Sequence, residues 1–256
     1  MSDSFYVGYL EPKPETTRRL KRLGAILVVL AAVVATALAV VTGPFDRATY
    51  EYGTEREWQG TLEAAPYPVL ITMTRAVADS PRGVYERFPL VAEGKHGAET
   101  LISGLDGVTV RLKGRRIGRQ GTTMLELVPG SIERFEPSLP ANGRPAPASQ
   151  IEDLGSRTFA GEIVDSKCFL GVMNPGRLEV HRACAIRCIA GGIPPMLFVR
   201  ESDGREAHLL LVDARGEPLN ERILDFVARP VTLEGRLERR DDLYYLYVAN
   251  VLPVAP

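Results

Sequence analysis

Three cysteines are all that this 256-residue chain contains, and they fall close together at Cys168, Cys184 and Cys188. His181, one of only three histidines, lies between them. The pattern is Cys-x12-His-x2-Cys-x3-Cys. If residues 181–190 form a helix, His181, Cys184 and Cys188 stand three and four positions apart. Residues so spaced share one helical face. An imidazole and two thiols then point the same way, and Cys168 can close over them from upstream. A Cys3His set suits zinc, and soft thiolates also suit copper. Asp165 can accept the imidazole's remaining N–H and fix the ring.

The same residues allow a blander chemistry. In an oxidising compartment Cys168 can pair with Cys184 or Cys188 as a disulfide, leaving one spare thiol. A bond between Cys184 and Cys188, within one turn of helix, is geometrically poor. Metal site, single disulfide with a spare thiol, and unpaired buried cysteines all stay open on this reading.

The elements that must position these groups are legible around them. Gly191 and Gly192, with Pro194 and Pro195 beyond, give the expected helix a C-terminal stop. An apolar run ending at Asp165 reads as a strand that delivers Cys168. Gly94-Lys95-His96-Gly97 reads as a polar turn that can bring backbone N–H groups and side chains to an anion or a metal. His96 and Met173 are therefore possible additional donors. Met196 and His208 read as packing residues within strands.

Residues 23–45 carry no charge and consist mainly of Ala, Val and Leu. About 20 apolar residues suffice to cross a bilayer as a helix. Arg18, Arg19, Lys21 and Arg22 precede the run, so residues 1–22 are expected in the cytoplasm and the C-terminal bulk outside it. A cleaved signal peptide ending at Ala37-Leu38-Ala39 is the competing reading. The long preceding segment and the continuation through Val40 and Val41 favour an uncleaved anchor in the inner membrane, with the lipid bilayer as a partner.

Beyond the anchor the pattern is mostly β. Val108, Val110 and Leu112 alternate with Thr109 and Arg111, as in a half-buried strand. Residues 46–135 read as a first β domain, 136–155 as a linker rich in proline, and 156–256 as a second β domain holding the Cys/His cluster. A strand, a glycine, a polar turn and a returning strand occur at 108–127 and again at 231–248. That is what a duplication gives, and also what two unrelated hairpins give. Short strands at this density suit small OB-like barrels, which close to hide their edges. The net charge of -1 argues against nucleic acid as a partner.

Phe5-Tyr-Val-Gly-Tyr-Leu10, Gly94-Lys-His-Gly-Ala98, Asp165-x2-Cys168, His181-x2-Cys-Ala-x2-Cys188 and Gly191-Gly-Ile-Pro-Pro195 together resemble an uncharacterised family of bacterial single-pass, membrane-anchored proteins. The resemblance runs along nearly the whole chain and implies architecture without an activity. The expectation is a periplasm-facing metal-binding or redox accessory protein, a partner or assembly factor of a membrane complex. A thiol-redox enzyme using a cysteine of the cluster and a structural adaptor with one disulfide are the alternatives. There is no Ser-His-Asp order, nucleophile elbow or dinucleotide fingerprint to point to another catalytic site.

Overall fold

The structure is a computed structural model that describes residues 13–42, 48–74, 84–135, 150–201 and 203–253. Phe5-Tyr-Val-Gly-Tyr-Leu10 and the linker prolines Pro137, Pro140, Pro145 and Pro147 lie outside those residues. Two compact units emerge, 1–46 and 47–256.

The first unit contains one helix, α1 (Pro14–Thr42). It begins nine residues before the apolar run. Pro14 suits a first helical position, where its missing N–H costs nothing, and Glu15 favours the positive end of the helix dipole. Arg18, Arg19, Lys21 and Arg22 are strong helix formers, so nothing stops the helix at the charge boundary. Within Pro14–Val40 the most apolar 18-residue window has a mean hydropathy of 2.8, making the helix long and apolar enough to cross a membrane.

The second unit is all that follows. Its strands are β1 (Ala48–Tyr50), β2 (Arg56–Glu63), β3 (Val69–Thr74), β4 (Val84–Val91), β5 (Thr109–Arg119), β6 (Thr122–Leu127), β7 (Glu133–Arg134), β8 (Ile151–Asp165), β9 (Pro195–Arg200), β10 (Glu206–Asp213), β11 (Pro230–Arg240) and β12 (Leu243–Pro253). A short helix α2 (Arg182–Ala190) lies between β8 and β9.

Two barrels with one connectivity result. The second is a closed ring in the order β10-β12-β11-β8-β9, with β10 and β12 parallel. In the first, β2 pairs with β3, β3 with β4, β4 with β6 in parallel, β6 with β5, and β5 returns to β2. Numbered along each ring, both read 1-2-3-5-4 and back to 1, the order of an OB-like barrel. The hairpins whose sequences look alike, β5–β6 and β11–β12, occupy equivalent places. So do two glycines. Trp58-x-Gly60-x-Leu62 on β2 matches Phe159-x-Gly161-x-Ile163 on β8. A Cβ on Gly60 would strike the Ile71 carbonyl, and one on Gly161 the Phe198 carbonyl, each on the neighbouring second strand. Both glycines let that strand approach closely.

Inward residues alternate as the pleat requires. Val231, Leu233 and Leu237 on β11 are buried, as are Val110 and Leu112 on β5. Two differences from the sequence reading stand out. Strand β8 starts at Ile151, so residues 151–155 belong to the second barrel rather than to a linker. The two barrels also share a core: Tyr67, Val91, Ile117 and Met124 of the first pack in one cluster with Val164, Phe169, Ile193 and Tyr245 of the second. They form one compact unit, tied further by the Tyr67 hydroxyl donating to the Leu211 carbonyl at 2.6 Å.

Candidate metal centre

The second barrel differs from the first in one large feature. Between its first and second strands the chain runs through residues 166–194, where the first barrel needs only 64–68. This segment carries the cysteines and histidine, and its base is buried in the shared core with Cys168 and Cys188.

Cys168 follows β8 directly. Its N–H donates to Asp165 Oδ1 at 2.8 Å, and its carbonyl accepts from Met173 N–H at 3.1 Å, closing a short turn. Cys184 and Cys188 ride on α2, one turn apart. That helix stops where the glycines predict, with Gly191 N–H bonded to the Arg187 carbonyl at 3.0 Å and Gly192 at φ +100. The three Sγ atoms lie within 4.8 Å of one another, and no disulfide joins them. Cys168 and Cys188 are buried, and Cys184 is partly open to solvent.

His181 ends up with a different set. It caps the start of α2, and its Nε2 sits 3.0 Å from Asp165 Oδ2, both groups buried. Asp165, Cys168 and His181 form a second group of donors within 4.8 Å of one another, sharing Cys168 with the first. Among the described residues the four expected ligands thus converge as two overlapping triplets rather than one quartet. The helical spacing holds for Cys184 and Cys188. His181 departs because it stands at the N-cap of α2, ending the 3-10 turn Glu179–His181, and its ring hydrogen-bonds to Asp165.

His96 is exposed and belongs to neither triplet. Met173 has an exposed side chain. Met196 is buried core, and His208 packs between the barrels, its Nδ1 2.8 Å from Thr122 Oγ1.

Two lysines complete the site. Lys95, from the Gly94–Gly97 turn of the first barrel, places Nζ 2.7 Å from Cys184 Sγ and 3.7 Å from Cys188 Sγ. The turn is pressed onto the end of α2. Gly97 N–H donates to the Gly191 carbonyl at 2.9 Å, and a Cβ on Gly191 would run into the Lys95 carbonyl. Lys167, beside Cys168, is buried. Its ammonium meets Glu126 Oε2 at 2.6 Å and the carbonyls of Ala92 and Gly94 at 2.8 Å each. Three donors meet three acceptors, which makes burial of the charge tolerable. Lys167 was not evident as a site residue. Its only signal is a lysine placed between two apolar runs, Ile163-Val164 and Phe169-Leu170.

The electrostatics are those of coupled thiols. A hydrogen bond from the Cys168 thiol pulls Cys188 down to about 7, helped by Lys95 and opposed by burial and by Asp165. The same bond raises Cys168, together with burial and the Asp165 charge. The hydrogen bond to Cys184 raises Lys95, keeping it an ammonium. Clustered thiols, one of them ready to ionise near neutrality and steadied by a cation, can bind a soft metal ion or exchange with a disulfide.

No family model matches the chain, and no curated protein matches it. Among solved structures, a deletion mutant of the single-stranded DNA binding protein from Thermus aquaticus is similar at 13% identity, covering 83% of this chain and 90% of that one, with a TM-score of 0.23. A likeness at that score carries no argument about this chain.

Proposed function

We propose that the protein is a metal-binding accessory protein, held in the inner membrane by α1 with its barrels on the periplasmic side, that serves a membrane complex as partner or assembly factor. It would belong with the uncharacterised bacterial membrane-anchored proteins whose motifs it resembles. The observation that carries the reading is the convergence of Cys168, Cys184 and Cys188. All the cysteines of the chain meet within 4.8 Å, brought together from a strand end and a helix. Thiolates so grouped favour zinc or copper over hard cations. Asp165 and His181 stand beside Cys168 as a further N/O pair, able to orient it or to join the coordination. The orientation rests on the basic flank of α1. The test is metal uptake by the full-length protein in detergent. About one equivalent of zinc or copper per chain is expected. Cys184→Ser should abolish it, since a hydroxyl replaces thiolate poorly on these ions.

A second reading, a thiol-redox protein, is favoured by Cys188, whose thiol is pulled down to about 7 by the hydrogen bond from Cys168. Alkylation of the metal-free protein distinguishes it. A redox role requires a rapid reaction at Cys188 whose pH profile has a midpoint near neutrality. Uniformly slow alkylation at all three thiols contradicts that role.

A further inference from the structure

Building on the metal reading, we infer that the ion is held by three sulfurs alone, that Lys95 closes the fourth position, and that the resident ion is therefore monovalent copper rather than zinc. The inference starts from the donor count. Metal–sulfur bonds of about 2.3 Å put sulfurs about 4 Å apart, within easy reach of the present arrangement. Among the described residues no further His, Cys, Asp or Glu donor joins that triplet; His181 and Asp165 group with Cys168 only. Structural zinc is almost always four-coordinate, and where a protein supplies three ligands, water or substrate supplies the fourth. Copper(I), softer than zinc and carrying a single charge, is content with three thiolates.

Lys95 stands where a fourth ligand would enter. Cys168 and Cys188 are buried, so solvent reaches the cluster on the side of Cys184, the partly open thiol. That is the thiol Lys95 covers, at 2.7 Å. An ammonium has three donors and no lone pair, so it hydrogen-bonds to thiolate and cannot ligate. It also repels a divalent ion more than a monovalent one. Nor is Lys95 there by chance of a long side chain. Its turn is fixed against α2 by the Gly97–Gly191 hydrogen bond, by the absence of room for a Cβ at Gly191, and by Lys167 holding the carbonyls of Ala92 and Gly94. The first barrel thus contributes a charge to a site whose ligands all come from the second. Lys95 acts as a positioning and selecting residue, not a ligand.

The experiment loads the reduced, metal-free full-length protein in detergent with copper(I) or zinc(II) from buffered chelators. It measures affinity by competition and coordination by X-ray absorption at each metal edge. The expected copper spectrum shows three sulfur neighbours and no nitrogen or oxygen. Lys95→Met should weaken copper(I) about tenfold, the worth of one charge-assisted hydrogen bond, without weakening zinc(II). Lys95→Arg should retain most of the copper affinity. Since Lys95 is exposed, unchanged thermal melts will show that both variants fold. A four-coordinate copper site with a nitrogen or oxygen neighbour, or no change on Lys95→Met, overturns the inference and leaves the metal reading standing. Failure of both ions to bind stoichiometrically overturns the metal reading itself.

Discussion

Replacing Lys167 with methionine probes the link between the barrels. Methionine fills nearly the same volume and removes only the ammonium. Glu126 then loses its partner at 2.6 Å, and the Ala92 and Gly94 carbonyls lose their donors at 2.8 Å. Removing one side of a buried ion pair costs about 3–5 kcal/mol, because the other charge stays buried. Here Glu126 keeps the Tyr50 hydroxyl at 2.6 Å and Arg115 at 3.0 Å, which puts the loss at the lower end, about 3 kcal/mol. For a unit of this size each kcal/mol moves Tm by about 2–4 °C, so a fall of about 6–12 °C is expected. The assay is thermal unfolding of the full-length protein in detergent, followed by the far-ultraviolet strand signal. Glu126→Gln in the same chain should recover part of the loss, since a neutral amide needs no cation. The folded state holds the Glu126 carboxyl below its ordinary value: burial raises it, but hydrogen bonds from Lys167 and Tyr50 and the Lys167 charge outweigh that. The wild-type advantage is therefore present above the ordinary carboxylate range and shrinks as pH falls through the folded value. A fall of less than about 2 °C, or no recovery in the double variant, would refute the claim that this ammonium ties the barrels together.

Three other outcomes follow from the same structure. Gly191→Ala should cost about 1–3 kcal/mol and expose Cys184 to alkylation, because the new Cβ pushes the Lys95 backbone away; unchanged alkylation would place the turn elsewhere. Acid should weaken the fold before the carboxylates titrate. Burial, with Arg119 nearby and against the pull of Glu206, holds His208 down to about 4, while the unfolded imidazole titrates near 6.5. The unfolded chain gains that proton first, so stability should fall by up to about 3 kcal/mol between pH 6.5 and 4, and His208→Gln should flatten the slope. A periplasm-active reporter fused after Pro256 should be active, and silence would reverse the orientation read from Arg18, Arg19, Lys21 and Arg22.

Much of this architecture shows in the sequence because local patterns decide it. The apolar run gives α1, the alternation at 108–112 gives part of β5, and two glycines followed by prolines end α2. The unread parts depend on non-local packing. In residues 151–155 the two apolar side chains, Ile151 and Leu154, stand three apart and Ile151 is 62% exposed, so no alternation marks them as strand, and proline nearby draws the boundary too late. Nothing about Ile117 or Met124 tells that each packs in the cluster shared with Phe169 of the second barrel. The repeat Trp-x-Gly-x-Leu and Phe-x-Gly-x-Ile was available, but a lone glycine in a strand gains meaning only when the opposing carbonyl is seen. At the site, residue types and spacing were enough to bring the three thiols together. The turning of His181 to Asp165 was not, because a helix cap and a first helical turn look alike in sequence. The arrival of Lys95 from another barrel has no local trace beyond its flanking glycines.

The central claim, that the three cysteines form a metal site, is tested most directly by mass spectrometry of the full-length protein purified without chelator or reductant. The account predicts a native mass higher by one copper or zinc ion. After denaturation under non-reducing conditions, the mass should correspond to three reduced cysteines. A metal-free native mass, together with a denatured mass lighter by two hydrogens, would mean a disulfide and a spare thiol, and would contradict it.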